Sequence, residues 1–151
     1  MPVANVDEIR AKVGEEIGIS PWIAVPQSAI NTFADVTGDR QFIHVDEVMA
    51  AATPFGGTVA HGFLTLSLLS QMAAGVMLVP PTTRMAVNYG FDRVRFLAPV
   101  HAGKRVRGRF TLTAFDEKRS GQYQFTHQVT VEIEGEDKPA LTAEWIGQVF
   151  A

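Results

Sequence analysis

Asp39 and His44 stand five residues apart in the stretch Thr37-Gly38-Asp39-Arg40-Gln41-Phe42-Ile43-His44-Val45-Asp46. A carboxylate beside an imidazole can move a proton on and off water, because histidine titrates near neutral pH. The stretch begins with a glycine after a helix-like segment and ends at a helix cap, so a loop there can bring both side chains to one point. The pair alone does not decide the matter, since an aspartate can instead bond its own turn and a histidine can lie on the surface. A second stretch, Thr53-Pro54-Phe55-Gly56-Gly57-Thr58-Val59-Ala60-His61-Gly62-Phe63-Leu64, is glycine-rich and leads into an apolar helix. A helix N-terminus presents unpaired N–H groups and partial positive charge, which can hold a developing oxyanion. Gly62 would let a carbonyl approach the backbone without meeting a Cβ. The same glycines also suit a tight turn and close helix–sheet packing, and both uses stay open.

The elements that must position these residues change period midway along the chain. Residues 17–25 read as a short extended segment. Ser28 is the expected N-cap of a helix carrying Ile30, Phe33, Ala34 and Val36 up to Gly38. Asp46 is the expected cap of a short helix through Val48, Met49 and Ala52. From Ala60 a long helix is expected, apolar nearly all round, with Phe63, Leu64, Leu66, Leu68, Leu69, Met72 and Val76, and ended by Pro80-Pro81. Strand patterns follow at 87–96, 106–115, 122–133 and 141–150, the third with Tyr123, Phe125, His127, Val129, Val131 and Ile133 at a period of two. One enclosed helix followed by four long strands predicts an α+β domain, residues 1–151, whose curved antiparallel sheet wraps a long central helix in the hot-dog manner.

Composition bounds the chemistry. Hydrophobic residues make up 46% and charged residues 19%, an ordinary globular balance. A net charge of −3 argues against nucleic-acid and anionic-membrane partners, although 13 Lys and Arg leave room for a local basic patch facing a phosphorylated ligand. The absence of cysteine excludes a disulfide framework, a thiolate nucleophile and Cys-ligated metal centres. The first residues carry no signal-peptide pattern, and the apolar run from Gly62 to Pro81 is interrupted by Thr65, Ser67, Ser70 and Gln71. A soluble, cytoplasmic protein is expected.

Gly38-Asp39-x-x-x-x-His44, then Phe55-Gly56-Gly57-Thr58-Val59-Ala60-His61-Gly62 and an apolar helix, resembles the MaoC-like, (R)-specific enoyl-CoA hydratase family. Asn88-Tyr89-Gly90-Phe91-Asp92-Arg93-Val94-Arg95-Phe96-x-x-Pro99-Val100 resembles its nodulation-protein-N-like branch, and the likeness runs from about Trp22 to the C-terminus. The resemblance implies a hot-dog fold, a homodimer formed through the sheets, and reversible hydration of trans-2-enoyl thioesters to (R)-3-hydroxyacyl thioesters. It implies that Asp39 and His44 bind and activate water, and that the Gly62 N–H holds the thioester oxygen. Ser70 falls where the family has a serine steadying the aspartate, and an ordinary helix serine is the alternative. Coenzyme A or phosphopantetheine would enter as part of the substrate, with no metal and no separate cofactor. Gln41-Phe42 departs from the Asn-Pro of many hydratases, which leaves the substrate range open.

Other residues attract structural explanations. His61 is expected to shape its loop, His101 to be solvated in a turn, and His127 to lie on a strand without metal-ligand partners. Lys104, Arg105, Arg107 and Arg109 suit a solvated strand face, or else the phosphates of coenzyme A. Trp22, Tyr89 and Phe91 are core residues or the lining of an acyl tunnel. Two other functions compete with hydration: a hot-dog thioesterase, and a non-catalytic acyl-thioester binding subunit.

Overall fold

Long runs of β-branched and aromatic residues in the second half form the main strands of a computed structural model that describes residues 1–151. In chain order the elements are α1 (Val6–Ala11), β1 (Glu16–Ile19), β2 (Ile23–Ala24), α2 (Gln27–Thr37), α3 (Phe42–Val45), α4 (Glu47–Ala51), α5 (Gly62–Ser67), α6 (Leu69–Ala73), β3 (Met85–Phe96), β4 (Arg105–Arg119), β5 (Gln122–Ile133) and β6 (Leu141–Phe150). The strands form one antiparallel sheet ordered β1-β4-β5-β6-β3, with β2 also paired to β4.

Alternation along the strands separates two faces. Val106, Phe110 and Leu112 of β4, Val129, Val131 and Ile133 of β5, and Leu141, Ala143 and Trp145 of β6 are buried. Most of these pack with Leu64, Leu69, Met72 and Ala73 of the α5–α6 helix pair in the larger of two core clusters. Full burial of each large apolar side chain contributes about 1.5–3 kcal/mol, so this sandwich supplies most of the folding drive. The opposite face carries a ladder of ion pairs: Arg105–Glu134, Arg107–Glu132 at 2.6 Å, and Arg109 between Glu16 at 3.0 Å and Glu132 at 3.4 Å. The Arg105 guanidinium holds the Glu134 carboxyl below its usual range.

Three expectations need correction. The extended segment at 17–25 divides into β1 and β2, which pair with different parts of β4. Ser28 lies inside α2, because Pro26 occupies the cap position and starts the helix at Gln27; proline's fixed φ suits that entry. The long helix is a pair of short ones meeting at Leu68. Ser67 there bonds back to the Phe63 carbonyl at 2.7 Å, a contact that bends helices. The helical path ends by Ala74 rather than at Pro80, because Val79 is held extended by the N-terminal segment: its N–H donates to Pro2 O and its carbonyl accepts from Ala4 N, each at 3.1 Å. Nor is the pair enclosed on all sides, since Phe63 is 67% exposed. No helix is long and apolar enough to cross a membrane.

Candidate active site

Three irregular segments converge beside the start of α5. Helix α2 stops at Gly38, whose φ of +79° is open to glycine and strained for other side chains. The chain reverses there, and the Asp39 carboxylate accepts from Gln41 N at 3.3 Å. Helix α3 then carries His44 inward, and Asp46 caps α4 by accepting from Met49 N at 2.9 Å, as expected. The 58–61 segment runs alongside: Val59 N donates to Ile43 O at 3.0 Å, and Ala60 N donates to Val100 O at 2.7 Å. Gln27 ties the segments together, donating to His44 O at 2.7 Å and accepting from the Thr58 hydroxyl at 2.5 Å.

These bonds fix which nitrogen of each imidazole carries a hydrogen. His44 Nδ1 lies 2.6 Å from Val59 O. A carbonyl can only accept, so Nδ1 carries a hydrogen, and Nε2 makes no hydrogen bond within the chain. By the same logic His61 Nε2 donates to the Asp39 carbonyl at 2.9 Å, and its buried Nδ1 has no partner. The two rings stack with centroids 3.8 Å apart, and Phe33 packs on His61 at 4.9 Å. Side-chain ligand atoms of Asp39, His44 and His61 all lie within 4.8 Å of one another. The exposed carboxylate and the buried, carbonyl-anchored imidazole of His44 can therefore share one water and pass its proton between them. As arranged, the trio is a poor metal cage. The two ring planes lie only 24° apart with centroids separated by 3.8 Å, which disfavours a single ion lying in both planes at coordination distance.

Gly62 opens α5 directly after His61, and its N–H has no partner within the chain. The place of its missing side chain is taken by the Phe96 ring, whose atoms lie 2.9 Å from where a Cβ would stand. Both residues line a cavity of about 250 Å³ with Thr65, Pro99 and Val100. Ser70 is not brought to the pair. It is exposed on α6, makes no hydrogen bond within the chain, and borders a different cavity of about 260 Å³ with Met77, Val87 and Trp145.

With this geometry in view, the MaoC like domain model matches residues 8–135. The chain belongs to the MaoC-like domain family. It is 52% identical over 143 residues to nodulation protein N of Rhizobium meliloti (strain 1021), covering 94% of this chain and 89% of that protein. It is 46% identical over 147 residues to the 3-hydroxyacyl-thioester dehydratase Z of Mycobacterium tuberculosis (strain ATCC 25618 / H37Rv), covering 97% of each. Among solved structures, the monoamine oxidase regulatory protein of Archaeoglobus fulgius superposes with a TM-score of 0.80 at 24% identity, covering 99% of this chain and 96% of that one. The architecture is the expected hot-dog fold.

Within this MaoC-like chain several residues take places that the sequence did not reveal. His61 joins the cluster, and no local signal distinguishes it from a loop-shaping histidine. Gln27 and Thr58 are 31 positions apart and meet only in the fold. His101 is not simply solvated: its Nε2 donates to Phe55 O at 2.8 Å, tying the glycine-rich loop to the β3–β4 connection. Lys104 pairs with Glu136 at 3.6 Å, so it and the three neighbouring arginines are all engaged by carboxylates. Trp22 lies under Arg107 at 4.4 Å on the charged side of the sheet. Tyr89 and Phe91 stand on exposed β3.

Proposed function

We propose that this chain reversibly hydrates trans-2-enoyl thioesters to (R)-3-hydroxyacyl thioesters, with Asp39 and His44 activating the water. The observation that carries this reading is His44 itself: Val59 O holds its Nδ1 hydrogen, and the same imidazole is clustered with the Asp39 carboxylate. In the hydration direction, water oxygen bonds to C3 as the Asp39–His44 pair takes its proton. The electrons of the C2–C3 double bond move toward the thioester, and the carbonyl oxygen gains negative charge. The unpartnered Gly62 N–H, beside His61, is the donor proposed to meet that oxygen. C2 then receives that proton back from the pair, and the enolate collapses to the thioester. Dehydration is the same path reversed, and neither direction changes an oxidation state overall. The dehydratase name of a relative 46% identical over nearly the whole chain supports the same reaction class.

We also propose that the protein works as a homodimer. β3 is an edge strand of twelve residues that leaves Met85, Val87, Tyr89, Phe91 and Phe96 exposed. A long apolar edge is a template for pairing, and two copies related by a two-fold axis would cover it.

The decisive assay follows loss of the conjugated enoyl absorbance of crotonyl-CoA, with Asp39→Asn and His44→Ala run alongside. Stereospecific hydroxyacyl dehydrogenases read the configuration of the product. Formation of (R)-3-hydroxybutyryl-CoA by the wild type, and loss of it in both variants, supports the reading. Release of free thiol would identify a thioesterase. Silence across a panel of enoyl chains on coenzyme A and acyl carrier protein would identify a binding subunit.

A further inference from the structure

The loop from Gly38 to Gln41, which carries Asp39, is bonded mostly to its own neighbours. Gly38 N donates to Ala34 O at 2.9 Å, Asp39 N to the Thr37 hydroxyl at 3.4 Å, and Arg40 N to Gly38 O at 3.1 Å. Gln41 N donates to the Asp39 carboxylate at 3.3 Å, and Gln41 O accepts from His44 N at 2.9 Å. Arg40 pairs with Asp35 at 2.6 Å, both side chains being exposed. All these partners lie in the loop or on the adjoining helices α2 and α3. One bond leaves that neighbourhood: the Asp39 carbonyl accepts from His61 Nε2 at 2.9 Å, across 22 positions of chain. An exposed loop tied only to its neighbours opens at little cost, so this bond decides its order. His61 can serve as the anchor because its own place is fixed. It is buried, its ring packs on those of His44 at 3.8 Å and Phe33 at 4.9 Å, and the preceding Val59 and Ala60 are bonded to Ile43 and Val100.

We propose that His61 is a positioning residue for hydration: by holding the Asp39 carbonyl it sets where the Asp39 carboxylate stands relative to the Gly62 N–H. The inference rests on the roles given to Asp39 and Gly62 above. A carbonyl oxygen held in place fixes the peptide plane that follows Asp39, and so restricts the direction of the Asp39 Cα–Cβ bond. The bond from Gln41 N to one carboxylate oxygen limits the rotation that remains, and the other oxygen makes no bond within the chain. At its other end His61 runs directly into Gly62, and its carbonyl accepts from Leu64 N at 3.1 Å and Thr65 N at 3.2 Å, which fixes the start of α5. Hydration needs both ends at once, water at C3 and a donor at the thioester oxygen, at a spacing set by the covalent geometry of the substrate. A misplacement of about 1 Å can cost about 10²-fold in rate. His61 joins the two ends directly, its ring to the Asp39 loop and its backbone to Gly62, and it acts through them rather than on the substrate.

The test compares side chains of different reach. A glutamine amide nitrogen stands near the place of a histidine Nε2 and keeps the donor, an asparagine amide falls short of it, and leucine removes it. Each variant is assayed with crotonyl-CoA well below its melting temperature, and ¹⁵N relaxation gives the backbone order of Asp39 to Gln41. His61→Leu and His61→Asn are expected to lower kcat by about 10–100-fold with KM within about threefold, and His61→Gln to stay within about threefold of wild type in both. The order parameters should follow the same division, near the rigid value of about 0.85 in wild type and His61→Gln and clearly lower in the other two. Should His61→Leu fail to fold, the glutamine and asparagine variants carry the comparison between them. Wild-type kcat in His61→Leu or His61→Asn, or a His61→Gln no better than His61→Asn, overturns the proposal and leaves the ring as packing alone. Failure of the hydratase reading is separate: the wild type then hydrates no enoyl thioester, while the order of the loop still reports whether His61 holds it.

Discussion

His44 and His127 are both buried, yet they occupy opposite kinds of environment. His44 sits where three irregular segments meet, its Nδ1 hydrogen held by the Val59 carbonyl and its ring clustered with Asp39 and His61. His127 sits in the middle of a regular strand, opposite Trp145, with no bond to either nitrogen. Backbone left unpaired by broken secondary structure supplied the carbonyl that sets one ring. In the sheet the carbonyls are already committed to the ladder, and the other ring is left unserved. Irregular chain is thus what makes a buried histidine chemically directed, and regular strand makes it merely buried.

The contrast breaks most visibly in the rate. Asp39→Asn and His44→Ala are each expected to lower hydratase turnover by on the order of 10²–10⁴. Because Asp39 is exposed, the Asp39→Asn melting temperature should stay close to wild type. A large loss of stability there would mean that the cluster serves folding rather than chemistry. His127 is expected to act on stability instead. Its pKa falls from 6.5 to about 4 on folding, so the unfolded chain binds the proton first as pH drops. Stability contributed by the neutral ring is complete above about pH 6.5 and declines as pH falls toward 4, by about 3 kcal/mol at about 1.4 kcal/mol per pH unit. Chemical denaturation across that window should show the decline in the wild type and a flatter profile in His127→Leu.

Smaller effects sharpen the same comparison at the edge of the site. A methyl group at Gly62 would lie 2.9 Å from the Phe96 ring, so Gly62→Ala should cost about 1–3 kcal/mol of stability by overpacking. Adding Phe96→Leu should recover part of it, measured by urea unfolding of the single and double variants. The smallest change is expected from Asp46→Ala. It removes the bond to Met49 N and should cost about 1 kcal/mol, with turnover within about twofold of wild type.

What the sequence made legible was local. Asp46 is a cap because its own helix begins beside it, and the β5 pattern from Tyr123 to Ile133 declared a strand by alternation. The Asp39–His44 spacing was legible as a candidate pair for the same reason. What stayed hidden depends on partners far along the chain. The apolar run ending at Val79 reads as helix until Pro2 and Ala4 pair with it. His61 became part of the cluster only because its ring reaches the Asp39 carbonyl, 22 positions away. Ser70 went the other way: its position in a motif placed it at the site, whereas the path of the helix carries it to another cavity.

The short bond from His44 to Val59 also turns the site into its own reporter. A proton held 2.6 Å between heavy atoms and shielded from solvent exchanges slowly and resonates far downfield. That single line in a proton spectrum would follow the imidazole through ligand binding and mutation, without any label in the protein.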